Sequence, residues 1–199
     1  MKPASHFFTE AEMKGLLKKL RQSARHGRLI DRIDHALVTF AWATGCRASE
    51  IASMSLSPSD ANWIDLKSGL VTITDAKWDS KGTIPLDVAS LRVIRHYVRE
   101  IRPQIRNAAV LHCLFVTKTG RPYTSNKLSK KLTLLLRRYG LNDKTAHSFR
   151  HFFCTDLFKR GARLHEAKAL MRHRDVRSTM VYSHSTTDDL RAVVNRRLG

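Results

Sequence analysis

The chain has 199 residues, 42% of them hydrophobic, which is enough to bury a core of ordinary size and excludes a basic disordered tail. Its 36 Lys and Arg residues outnumber 17 Asp and Glu residues, and the net charge of +19 indicates a polyanionic partner, whether DNA, RNA or an anionic membrane surface. Three cysteines without a C-x-x-C pair argue against a disulfide framework and a zinc module, and no apolar run reaches the roughly 18 residues of a membrane span.

Two helices are predicted at the start of the chain. Thr9-x-x-Glu12 is a capping box, which predicts the first helix start. Apolar residues at helical spacing predict the second helix: Leu29, Ile33, Leu37 and Phe40. Gly45 follows as the predicted stop, and Arg47 begins a new short helix.

The pattern then changes to β structure between residues 62 and 86. Two β-rich runs at residues 70–73 and 83–85, separated by a polar turn, predict a small antiparallel sheet. Further on, apolar spacing predicts one helix that ends at Pro103, another that ends at Gly140, and helical structure to the C-terminus. The predicted fold class is therefore α+β, mainly α with a small antiparallel β-sheet, in a single domain over residues 1–199.

The segment around His147 is predicted to form a helix with two different sides. At about 100° per residue, Phe149, Phe152 and Phe153 lie on one side, which is expected to face the core. The opposite side carries His147, Arg150, His151 and Cys154. We interpret this polar side as the lining of a cleft, while a surface helix with incidental His and Arg residues is the open alternative.

Arg47 lies at the predicted start of a helix, directly after a helix that ends at Gly45. The start of a helix favours anions, because free backbone N–H groups and the positive end of the helix dipole lie there. Glu50, one turn later, can hold the guanidinium of Arg47, and the same pair also suits a simple surface ion pair. Arg47 and Arg150 together can grip two oxygens of one phosphate, because each guanidinium donates parallel hydrogen bonds. Tyr182 can supply an attacking oxygen, with histidines to relay its proton. This set indicates phosphoryl transfer on a nucleic acid backbone.

Five segments in order resemble the catalytic domain of tyrosine recombinases, the phage integrase family. They are TGCRASE at residues 44–50, Lys77, HSFRH at 147–151, MRH at 171–173 and VYSH at 181–184. The resemblance runs from about Phe8 to the C-terminus. It implies a site-specific enzyme that breaks and rejoins DNA strands through a 3′-phosphotyrosyl intermediate. A type IB topoisomerase and a non-catalytic DNA-binding regulator with the same fold are the alternatives.

The resemblance also implies a role for each matched residue. Tyr182 would be the nucleophile, and His147 would accept or share its proton. Arg47 and Arg150 would hold the nonbridging phosphate oxygens, and His173 would add a hydrogen bond to the same phosphate.

Several lysines are expected to touch DNA. The resemblance implies that Lys77, in the turn before the second strand, is the general acid for the departing 5′-oxygen, with Lys81 as its rival. Glu50 and His151 are expected to support the catalytic set. The lysines expected on the DNA backbone are Lys81, Lys127, Lys130 and Lys131.

Neither a metal nor another cofactor is expected. His147 and His151 are four residues apart, as zinc ligands on a helix often are, but no Glu or third ligand accompanies them. The expected partners are double-stranded DNA and further copies of the chain, as a dimer or tetramer on DNA, with no membrane. The cysteine usage fits a reducing compartment, so a cytoplasmic location is expected.

Two features depart from the family pattern. Arg172 stands directly before His173, where the family usually has glycine, and the altered turn is expected to affect activity. Only 46 residues precede Arg47, too few for the N-terminal DNA-clamping domain of many members, so we expect an excised catalytic domain or a small natural recombinase. A C-terminal helix at about 188–198 is expected either to dock on a neighbouring subunit or to fold back on its own core.

Overall fold

The computed structural model of the protein describes residues 7–74 and 81–172. Its α-helices are α1 (Glu10–His26), α2 (Leu29–Thr44), α3 (Ala48–Ala52), α4 (Val88–His96), α5 (Ser125–Arg138), α6 (Ala146–Lys159) and α7 (Leu164–Met171). Its strands are β1 (Asn62–Asp65), β2 (Leu70–Ile73) and β3 (Gly82–Pro85). A mainly helical structure with one small antiparallel sheet confirms the predicted fold class.

The capping box of α1 and the glycine stop of α2 are both found where the sequence predicts them. At the start of α1, the Glu12 backbone N–H donates to the Thr9 hydroxyl at 3.1 Å, and the Thr9 N–H donates to the Glu12 carboxylate at 2.7 Å. α2 ends at Gly45, whose φ of 58° is left-handed. A Cβ at Gly45 would also lie 2.6 Å from the Phe153 ring, so backbone conformation and packing both require glycine. This tight stop sets the start of α3.

The sheet has the order β1-β2-β3, and both pairs are antiparallel. Ile64, Val71 and Ile84 are aligned across the three strands and are buried. The two predicted strands are confirmed. β1 was not predicted as a strand, because its four residues offer only one fully buried apolar side chain to the alternation.

The helical run predicted to end at Pro103 ends one residue past it, at Gln104, but it is regular α-helix only as far as His96. It continues as a π-helical turn, Tyr97–Ile101, and then tightens into the 3-10 turn Arg102–Gln104. Proline has no N–H to donate to the preceding turn, so the helical hydrogen-bond ladder is interrupted at Pro103.

α2 packs against α1, α4 and α6 and is therefore buried along most of its surface. Two of its buried residues are acids. Asp34 lies 2.6 Å from the Lys131 ammonium of α5, and Asp31 lies 3.2 Å from the Arg138 guanidinium of the same helix. Burial raises the pKa of Asp34, and Lys131 partly offsets that rise. These two ion pairs link α5 to α2.

Candidate active site

Arg47 precedes α3 as its N-cap residue, as predicted. Its backbone N–H donates to Glu50 Oε2 at 2.7 Å, and its Nη1 donates to Glu50 Oε1 at 3.0 Å. The Arg47 side chain is 33% exposed, whereas that of Glu50 is 3% exposed. The pair is therefore not a simple surface ion pair, because a buried carboxylate fixes the orientation of a cation that remains accessible.

Arg150 is buried on α6 and is bound by the ends of two other helices. Its Nη1 donates to the Gly45 carbonyl at 3.0 Å, and its Nη2 donates to the Met171 carbonyl. A guanidinium has five N–H donors, so three remain for other acceptors. Burial lowers the pKa of Arg150 to about 10, with smaller contributions from Arg47 and Arg172. Arg150 therefore stays charged at neutral pH.

His147 opens onto the same cleft as the two arginines. The cleft has a volume of about 270 Å³ and is lined from α3, α5 and α6, including Arg47, Ser49, Ser125, Asn126, Ser129, His147 and Arg150. Burial lowers the pKa of His147, and the charges of Arg150 and Arg47 lower it further. The imidazole is therefore neutral at neutral pH and available to accept a proton.

His151 lies one turn beyond His147, and its ring contacts the His147 ring. The two centroids are 4.5 Å apart with planes at 84°, and the centroid of the Phe7 ring lies 4.8 Å from that of His151. Burial, His147 and Arg150 lower the pKa of His151 to about 4. At neutral pH His151 is therefore a neutral ring that packs edge-on against His147.

The rest of α6 corrects one part of the sequence interpretation. Phe149 and Phe152 are buried and Phe153 is half-buried, as expected for the core side. Cys154, however, was grouped with the cleft residues and is fully buried in the core instead. Neighbouring helices cover more of α6 than one face, and cysteine behaves there as a small apolar side chain. Burial raises the pKa of Cys154 to about 11.

The four lysines expected on the DNA backbone differ in their surroundings. Lys81, Lys127 and Lys130 are exposed. Lys131 is half-buried and paired with Asp34 inside the fold. A contribution of Lys131 to DNA binding stays a prediction, because the structure gives it a partner within the chain.

Three expected catalytic residues, Lys77, His173 and Tyr182, lie outside the described residues, as does the expected C-terminal helix at 188–198.

Within residues 7–74 and 81–172, no three His, Cys, Asp or Glu side chains are grouped as metal ligands. The helices of those two ranges are too short or too polar to cross a membrane.

Arg172 has a contact that the sequence did not reveal. Its Nη2 lies 2.7 Å from Glu50 Oε2, and the two side chains are 0% and 3% exposed. The sequence indicated only an altered turn there.

The polar residues Ser125, Asn126 and Ser129 of α5 were also missed as cleft residues. Their i, i+1, i+4 spacing near the start of a predicted helix is a pattern that can identify such a polar face.

Comparison with known proteins gives matches along nearly the whole chain. A family model described as "Phage integrase family" matches residues 6–189. The tyrosine recombinase XerC of Lactobacillus leichmannii is 25% identical over 193 residues, which are 96% of this chain and 62% of that protein. The chain thus spans less than two thirds of this curated relative.

Solved structures show the same fold. An integrase of the Tn1549 transposon, in complex with transposon right end DNA, superposes with a TM-score of 0.77 at 18% identity, over 100% of this chain and 68% of that one. The catalytic domain of the bacteriophage HP1 integrase superposes with a TM-score of 0.60 at 19% identity, over 95% and 93% of the two chains.

Proposed function

The chain belongs to the phage integrase family, and on this premise we propose that it breaks and rejoins DNA strands at specific sites through a 3′-phosphotyrosyl intermediate. One observation carries the proposal: Arg47, His147 and Arg150 line the same small cleft. Two guanidiniums can bind a phosphodiester from two directions, and a neutral imidazole beside them can take up a proton. The net charge of +19 suits a DNA backbone as the polyanion.

In the proposed first step, the Tyr182 hydroxyl oxygen attacks the phosphorus and gives its proton to His147. The bond from phosphorus to the 5′-oxygen breaks, and that oxygen takes a proton from Lys77. The product is a 3′-phosphate esterified to Tyr182 and a free 5′-hydroxyl. Attack of a 5′-hydroxyl on this ester rejoins the strand, and the tyrosine leaves with its proton restored. The phosphoester bond is conserved throughout, so the exchange consumes no nucleotide.

The described residues support the electrostatic part of this scheme. Negative charge grows on the nonbridging oxygens during attack, and fixed donors aimed at them stabilise the transition state. Arg150 is fixed by the Gly45 and Met171 carbonyls, and Arg47 is fixed by Glu50. The donors therefore need little reorganisation when the phosphate arrives. Burial near two cations keeps His147 neutral, which suits a proton acceptor.

We also propose that residues 1–199 act as one catalytic domain that assembles on DNA. The match over 93% of the HP1 integrase catalytic domain supports a unit of this size. Self-association is proposed to depend on the segment at 188–198. Deletion of the residues after Asp188 should reduce cooperativity in a DNA titration and leave binding to a single half-site in place. Unchanged cooperativity would contradict a docking role for this segment.

Capture of a covalent protein–DNA adduct tests the function. The substrate is a library of nicked duplexes with a random central segment, because the nick releases a short fragment and traps the cleaved state. After denaturation, protein-linked DNA is isolated and sequenced, and the modified peptide is identified by mass spectrometry. The proposal predicts a 3′-phosphate attached to Tyr182 and a shared sequence among the captured duplexes.

Two tyrosine variants make the test specific. Tyr182→Phe removes the attacking oxygen and should abolish the adduct while DNA binding persists. Tyr139→Phe is the matched control, since the Tyr139 hydroxyl lies outside the cleft, 3.3 Å from Ser23 Oγ. An adduct that survives Tyr182→Phe would refute the role of Tyr182. Binding without any adduct would indicate a regulator, and adducts with no preferred sequence, together with plasmid relaxation, would indicate a topoisomerase.

A further inference from the structure

Arg172 is buried in an unfavourable setting next to the cleft. Its backbone is left-handed, with φ 54° and ψ 43°, a conformation that non-glycine residues seldom adopt. Its side chain is fully buried, and its Nε has no hydrogen-bond partner among the described residues. A strained backbone and an unpaired Nε both oppose folding, so what Arg172 contributes depends on the groups that its other guanidinium nitrogens bind.

The Arg172 guanidinium reaches across to α3 and shares a carboxylate with Arg47. Glu50 Oε2 accepts from Arg172 Nη2 at 2.7 Å, while Glu50 Oε1 accepts from Arg47 Nη1 at 3.0 Å. Each oxygen thus binds one guanidinium. If Arg172 were missing, the buried carboxylate could turn and be neutralised by Arg47 alone. Arg172 therefore has two effects: it fixes the rotamer of Glu50, and it leaves the positive charge of Arg47 less compensated at the cleft.

The end of α7 is linked to the cleft through Arg150 and to the sheet through Arg172. The Arg150 Nη2 donates to the Met171 carbonyl, directly before Arg172. On the other side, the stem of Arg172 packs on β3: a Cβ at Gly82 would lie 3.0 Å from Arg172 Cγ and 3.3 Å from Cδ. The Arg172 side chain is thus confined between β3 and α3, so its guanidinium has a defined place beside Glu50.

We propose that Arg172 is a positioning residue for strand cleavage. Through Glu50, Arg172 orients the Arg47 guanidinium and keeps its positive charge available to the bound phosphate. The predicted effect on the cleavage rate rests on the proposed function. The predicted effect on the Glu50 carboxyl group does not depend on catalysis. Arg172 itself is not expected to touch DNA, because its side chain is completely buried.

The decisive variant is Arg172→Gly, because glycine accepts the left-handed backbone and removes only the guanidinium and its stem. The rate of adduct formation is measured at saturating DNA, together with DNA affinity and thermal unfolding. We expect the rate to fall on the order of 100-fold, as misplacement of a catalytic group does, with affinity nearly unchanged. Arg172→Lys keeps the charge but not the planar fork and should restore the rate only in part.

The matched control is Arg102→Lys. Arg102 is also a buried arginine, but it donates to the Leu111, Cys113 and Leu114 carbonyls away from the cleft. Its replacement should lower thermal stability and leave the cleavage rate at saturating DNA unchanged. If Arg172→Gly and Arg172→Lys both cleave at the wild-type rate, the proposal is overturned. If Arg172→Gly does not fold, Arg172→Lys against Arg102→Lys decides by the same comparison.

A titration of Glu50 separates this proposal from the proposed function. Burial raises the pKa of Glu50, but Arg172, the Arg47 backbone N–H and the other nearby guanidiniums together outweigh burial, so the pKa lies below its usual value. In Arg172→Gly, carbon-13 NMR of the Glu50 carboxyl should show a higher pKa. An unchanged pKa would overturn the coupling even if cleavage is established. A raised pKa in a protein that never cleaves DNA would support the coupling and refute the proposed function.

Discussion

Replacement of Arg150 by lysine tests whether its planar fork, rather than its charge, serves the site. Arg150 donates to two carbonyls, from Gly45 and Met171, whereas a single lysine ammonium cannot span both. One buried carbonyl that loses its donor costs about 1–3 kcal/mol. For a chain of 199 residues, this lowers the melting temperature by about 2–12 °C. Since a phosphate donor is displaced as well, we expect cleavage to slow by about 100- to 1000-fold.

The assay combines thermal unfolding with single-turnover cleavage at saturating DNA, so that weaker binding does not enter the rate. Arg102→Lys serves again as the control, because it removes a comparable buried fork at a distance from the cleft. Both variants should lose stability, and only Arg150→Lys should lose rate. An Arg150→Lys protein that is destabilised but cleaves like the wild type would refute the assignment of Arg150 to the phosphate.

Three further expectations concern the charges of the described residues. The cleavage rate should decline as the pH falls through the lowered pKa of His147, because the protonated ring no longer accepts a proton. A rate that rises on acidification would contradict this role of His147. The pKa of His151 is lowered to about 4 in the folded protein. As the pH falls, the unfolded state therefore binds a proton at His151 before the folded state does. The free energy of unfolding, measured with urea, should decrease between about pH 6.5 and pH 4. His151→Gln should weaken this dependence, and an unchanged acid profile would exclude His151 as its source. Lys127→Ala should reduce the salt slope of DNA binding by about one. Lys131→Ala should lower the melting temperature, because it leaves Asp34 buried without its cation. Equal melting temperatures of the two variants would contradict the structural role of Lys131.

Local patterns in the sequence predicted much of the fold. The capping box at Thr9, the stop at Gly45 and the restart at Arg47 depend on neighbours within one helical turn, and each is confirmed. The arrangement of His147 and Arg150 on one side of α6 follows from helical periodicity in the same way.

Contacts between distant parts of the chain were not predictable in this way. Glu50 and Arg172 are separated by 122 positions, and Asp34 and Lys131 by 97. A charged residue in a single sequence is expected at the surface unless a partner is known, so no local pattern indicates that Asp34, Glu50 and Arg172 are buried and that Lys131 is half-buried. For Arg172 the sequence indicates only a change in a turn, because its side-chain contact forms only when the folded chain brings it to Glu50 of α3.

The proposed chemistry requires that Arg47, His147 and Arg150 act on one DNA phosphodiester together with Tyr182. The decisive experiment is a crystal structure of the Tyr182→Phe protein on a nicked duplex that carries the sequence recovered by adduct capture. We expect a single phosphate in the cleft, with one nonbridging oxygen bound by each arginine and with His147 beside the phenyl ring that replaces the tyrosine. A duplex bound only through the exposed lysines, with no phosphate between Arg47 and Arg150, would contradict the proposed chemistry.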